Sequence, residues 1–323
     1  MRKTKVGKNV ATMRQPVPKS RDQNGTGERQ SIVPGRNERD FAVYARLPGA
    51  IARGLFVIIL IILPSALLPS STGDTRVVVM LVALFAAIFT IAEYSSQSPS
   101  LIEFRDAAPY NRVRFIGIFL SIAAMSVILG GAQSNSTSTF VLLFEVIGER
   151  IGTSIDFPYS PVRLMLVMMP YDTSPEVLSA LRTAAGLSYF ASLMSLAIFV
   201  VLLRMRIWPN RTKAFNVWVN LPTFDPTVGG DVVDRLNRDS VVNLVLGTLL
   251  PFIIPAILKA AWTVMDPISF DDPQTLIWIV AIWAFLPASL LMRGVALARV
   301  AGMIHLQRKK AYAAAAAEGM LPV

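Results

Sequence analysis

Few residues in this 323-residue chain have the types and spacing that chemistry needs. It holds no cysteine, which excludes disulfides, iron–sulfur ligation and cysteine-bound zinc. Its single histidine, His305, cannot form a paired-histidine metal motif. No Gly-Lys-Ser/Thr triplet occurs, so a Walker phosphate loop is absent. Asp231, Asp234 and Asp239 come nearest to a magnesium-holding set, because a metal between carboxylates can serve phosphoryl transfer at a membrane edge. Their spacing lacks the glycine punctuation of the CDP-alcohol phosphotransferases, and Arg235 and Arg238 neutralise them locally. The expected form is an ion-paired, solvated helix turn. Met165, Met168 and Met169 could suggest copper(I), which thioethers favour. With no cysteine, nearby histidine or repeated methionine motif, they are expected to fill apolar gaps. Intramembrane proteolysis fails on the same inventory, since it needs a Gly-x-Ser-Gly motif with a histidine, paired histidines, or two membrane aspartates. No catalytic residue and no cofactor is expected.

The elements that carry these residues are set by composition. The chain is 53% hydrophobic and 16% charged, against about 45–50% and about 25% in a soluble domain. So much apolar surface requires lipid. A spanning helix needs about 20 mostly apolar residues, and six stretches meet or approach that: 47–68, 77–92, 115–132, 183–203, 241–262 and 276–297. Inside a bilayer each backbone polar group must be satisfied internally, so all six are predicted as helices. The fold class is all-α, a polytopic membrane bundle of six transmembrane helices. The first 46 residues carry no apolar run, so a secretory signal peptide is not expected.

Charge supplies the orientation. With six spans, 26 of the 31 Lys and Arg fall on one face and five on the other. The positive-inside rule then places both termini in the cytoplasm, and the expected location is a bacterial inner membrane. Residues 1–46 form a basic arm, expected to be disordered because it buries too little apolar surface to offset its ordering entropy. Such an arm suits anionic lipid headgroups or an acidic partner. It lacks interleaved aromatics for base stacking, so nucleic acid is not an expected partner.

Residues 133–182 are read as an extracytoplasmic amphipathic cap. Phe140, Leu143, Phe144, Ile147 and Ile151 recur at helical spacing there, and a re-entrant half-helix is the alternative. In the loop 204–240, Arg204, Arg206, Trp208 and Arg211 read as a membrane-surface anchor. Residues 301–323 are expected to form a cytoplasmic tail.

The middles of the predicted helices contain no ionisable residue, which argues against a proton-coupled pump. Arg182 and Lys259 sit nearer helix ends, and the acidic loop Asp266, Asp271, Asp272 is their expected partner. Ala180, Ala184, Ser188 and Ser192 recur every four residues as a small-residue ridge for close packing, and Ala284 with Ala288 offers a second. Pro251, Pro255 and Pro287 are expected to kink their helices. The functional expectation is a non-catalytic membrane protein, a structural or assembly subunit with protein partners. The alternative is a channel or transporter for a small or neutral solute.

Overall fold

Apolar runs that cannot hydrogen-bond to lipid must close their backbone bonds locally, and the six described apolar runs do so as helices. The computed structural model describes residues 36–97, 99–134, 138–205, 207–208, 215–225, 229–262 and 272–317, with 36–45 and Trp218 described by backbone alone. The elements are α1 (Arg36–Leu67), α2 (Gly73–Ser95), α3 (Tyr110–Gln133), α4 (Thr139–Ile155), α5 (Pro161–Val167), α6 (Pro175–Arg204), α7 (Val217–Asn220), α8 (Val232–Ala261) and α9 (Pro273–Ala317). Among the described residues there is no strand. Six helices are long and apolar enough to cross a bilayer: Arg46–Leu67 within α1, then α2, α3, α6, α8 and α9, with mean hydropathy from 2.1 to 2.4. The protein is a polytopic, all-helical integral membrane protein.

Several boundaries move from the sequence-based positions, those of α8 and α6 for a capping reason. Asp231 accepts a hydrogen bond from the Val233 amide at 2.6 Å, so α8 starts at Val232 and absorbs the aspartate-rich turn into one helix. Arg308 donates to the same carboxylate. That hydrogen bond, followed by the Val233 amide, holds the Asp231 carboxyl below the ordinary carboxylate range. Ser174 accepts from the Val177 amide and Pro175 follows at the first helical position, which starts α6 well before residue 183. α9 continues to Ala317 through the segment expected to be a tail, helped by an alanine run with high helix propensity. α1 begins at Arg36, inside the expected arm; residues 1–35 lie outside the described residues.

Small residues decide which helices touch. A Cβ added to Gly186 on α6 would meet the Gly152 Cα of α4 at 2.4 Å, so these helices approach backbone to backbone. On α3 and α6, Ser195 packs on Gly117, and the Ser121 and Ser188 hydroxyls are 2.6 Å apart. Ser240 of α8 donates to the Gly294 carbonyl of α9 at 2.7 Å. Ala184, Ser188 and Ser192 are buried, Ala180 is half-buried, and Ala284 and Ala288 are buried on α9.

Pro251, Pro255 and Pro287 all lie inside continuous helices. Pro255 has no N–H to give the carbonyl of Pro251, four residues back. The buried Trp283 indole of α9 donates to that carbonyl at 3.2 Å, so a neighbouring helix satisfies what the proline leaves open.

The expected partner of Arg182 is corrected. Its Nε donates to Asp156 Oδ2 at 2.8 Å, while Arg163 Nε lies 2.7 Å from Oδ1. Asp156 is buried between α4 and α5 and claims both guanidiniums first. Lys259 donates to the Val167 carbonyl at 2.9 Å, and Asp272 caps the start of α9 through Thr275. Asp266 and Asp271 lie outside the described residues. Asp156→Ala should therefore lower stability by about 1–3 kcal/mol, the smaller end reflecting the partial exposure of both arginines. The check is the thermal midpoint in detergent, and an unchanged midpoint would show the triad to be idle.

Candidate functional site

The basic end of the bundle encloses a cavity of about 1000 Å³ between α1, α3, α9 and the loop that joins α2 to α3. The loop is held from several directions. Arg105 donates through Nη1 to the Glu93 carbonyl at 2.9 Å and to the Ser96 carbonyl at 2.6 Å, capping the last turn of α2. Phe104 sits in the left-handed region at φ 52°. Its amide donates to the Asn220 carbonyl at 2.6 Å, and the Asp106 amide donates to Asn220 Oδ1 at 3.1 Å. The short helix α7 thus ends in the residue that pins the loop.

Glu103 makes the strongest tie. Its carboxylate accepts from Arg293 Nε at 2.6 Å and Nη2 at 2.7 Å, the two-pronged geometry that suits a guanidinium. Thr223 adds a hydroxyl at 2.8 Å.

The charge on the walls is lopsided. Arg53, Arg105, Arg112, Arg114 and Arg293 line the cavity, against one carboxylate, Glu103, which Arg293 already occupies. Arg53, Arg112 and Arg114 take part in no ion pair among the described residues. Arg53 lies 4.5 Å over the Tyr94 ring and donates to the Gly49 carbonyl, and Arg114 lies over the rings of Tyr110 and Phe285 and donates to Ser289. Arg105 contacts Asp106 at 3.3 Å, yet its side chain is only 2% exposed and its Nη2 has no hydrogen-bond partner.

The start of α3 adds positive potential of its own. Its N-cap is Pro109, which provides no side-chain cap, and its first turn holds no acidic residue. A helix N-terminus carries partial positive charge, which disfavours arginines and favours an anion. Below the arginines the lining turns apolar, with Phe56 and Val57 of α1, Ile116 and Ile118 of α3, and Phe285 of α9.

The membrane-surface anchor is corrected for Trp208. Its ring is fully buried in an aromatic cluster with Phe104, Tyr110 and Phe199, and its indole donates to the Ala107 carbonyl at 2.7 Å. It braces the cavity loop from behind. Arg204 is exposed at the end of α6, whereas Arg206 and Arg211 lie outside the described residues. The sequence reading places Arg53, Arg105, Arg112 and Arg114 on the basic face, with Arg53 near a helix end, and does not bring them together. The missed signal was two arginines in the opening turns of an apolar helix, against its dipole.

No family model, curated protein or solved structure matches the chain. Among the described residues, no three His, Asp or Glu side chains are grouped to hold a metal ion.

Proposed function

We propose that the chain is a non-catalytic membrane protein that acts by holding other molecules, as a structural or assembly subunit of a larger membrane complex. The cavity carries this reading. It is receptive to anions, and its single carboxylate is engaged by Arg293, so no lining carboxylate or imidazole is poised to move a proton. Orientation follows the charge bias, with both termini cytoplasmic and the cavity opening at the cytoplasmic face of an inner membrane.

Transport of a small neutral solute draws less support. Arginine-rich walls do not suit a neutral solute, and the proline step of α8 is held by the Trp283 bond rather than left as a loose hinge. Purification in mild detergent with cross-linking tests the proposal. The chain should arrive with stoichiometric protein partners, and deletion of residues 1–40 should weaken at least one association. A clean homo-oligomer that conducts solute in liposomes would overturn it.

A further inference from the structure

We propose that the cavity is a binding site for an anionic phospholipid, whose phosphate head sits among Arg53, Arg105, Arg112 and Arg114 and whose acyl chain lies between α1 and α3. The inference rests on the same cavity as the proposed function, but it requires no protein partner.

Three independent observations converge on it. The first is uncompensated charge: among the described residues Arg53, Arg112 and Arg114 line one recess with no ion pair, Arg105 beside them is paired with Asp106, and the lining carboxylate Glu103 is taken by Arg293. Guanidinium is the side chain best shaped to take phosphate oxygens in pairs. The second is the buried Nη2 of Arg105. A buried donor without a partner costs free energy, and a phosphate oxygen in the cavity that Arg105 lines would supply the acceptor.

The third is the order of the lining along the membrane normal. Arg112 and Arg114 lie about 3–6 Å along α3 from its start, whereas Ile118 lies about 12 Å along it, by the rise per residue of a helix. Charge therefore sits at headgroup depth and apolar wall at acyl depth. Phe56 and Ile116 line the cavity yet are 55% and 54% exposed on spanning helices, so the recess communicates sideways with lipid. A soluble anion would use only the upper part; an amphiphile matches both. Among the described residues, the three lining guanidiniums without an ion pair, Arg53, Arg112 and Arg114, further favour a head with two negative charges over one with a single charge.

The full chain, reconstituted in nanodiscs of phosphatidylcholine doped with phosphatidic acid or with phosphatidylglycerol, tests this. Lipid retained per chain is read by mass spectrometry after detergent extraction, alongside the thermal midpoint. Phosphatidic acid should be retained in preference to phosphatidylglycerol, and Arg53→Gln with Arg112→Gln should cut retention about tenfold, the loss of two charge-assisted contacts. Arg112 is exposed, so R112Q alone reports on charge without disturbing packing. Ile116→Trp, which fills the lateral opening, should lower retention with every charge intact, and Arg308→Gln, outside the cavity, should leave it unchanged. Retention unaffected by the arginine changes would overturn the site in favour of general boundary lipid. A midpoint shift from inorganic phosphate equal to that from lipid, insensitive to Ile116→Trp, would replace the lipid with a free anion. A failed partner pull-down would leave all of these results standing.

Discussion

Trp208→Ala should unfold the basic end of the bundle before the rest, with a loss of about 3–5 kcal/mol, the range for truncating a buried large aromatic. The indole fills a cluster with Phe104, Tyr110 and Phe199, drawn from the loop, α3 and α6. Its N–H also satisfies the Ala107 carbonyl, which the variant would leave without that donor in a buried setting. Trp208→Phe divides the two contributions, since it keeps much of the ring packing and loses the donor. The thermal midpoint in detergent should fall in the order wild type, Phe, Ala, with protease cutting in the α2–α3 loop appearing first. Midpoints equal within error would mean that the cluster does not hold the loop.

Gly186→Ala should be nearly as disruptive for so small a change. The new methyl would lie 2.4 Å from the Gly152 Cα, a backbone atom that cannot rotate away, so α4 and α6 must separate. Overpacking of this kind costs about 1–3 kcal/mol, and Gly186→Leu should exceed it. The control is Gly302→Ala on α9, where nothing lies within 4 Å of the added carbon. That change should be neutral or stabilising by up to about 1 kcal/mol, because alanine is the better helix former. Equal effects at the two positions would mean that helix propensity, and not the close crossing, governs both.

The helices were readable because lipid solvent leaves one local solution to an apolar run, and Leu276 to Leu297 could hardly have folded otherwise. Their ends were less readable, since a cap such as Asp231 or Ser174 outranks the point where hydropathy falls. Partner choice was harder again. Arg182 meets Asp156 because α4, which that aspartate ends, packs backbone to backbone on α6, a tertiary fact that counting charges by face cannot contain. Gly148 and Gly152, four apart, were a visible packing signal left unread beside the alanine–serine ridge. Trp208 among basic residues looks the same at a lipid surface as in a core, and only Phe104, Tyr110 and Phe199 decide between them. The cavity was hidden because Arg53 and Arg114 lie far apart in sequence and meet only once α1 and α3 are side by side.

α9 runs without interruption for 45 residues, about 68 Å at the helical rise, against a hydrocarbon core of about 30 Å. Twenty-four of those residues follow Arg293, the wall of the cavity that grips Glu103. The turns up to Ala301 carry buried residues, and beyond them the helix projects as a stiff rod, where a tilt of about 5° would swing Ala317 by about 2 Å. The clasp between Arg308 and Asp231 would pull the start of α8 along with it. A small angular change at the last buried turn would thus arrive at the far tip as a displacement approaching the length of a hydrogen bond.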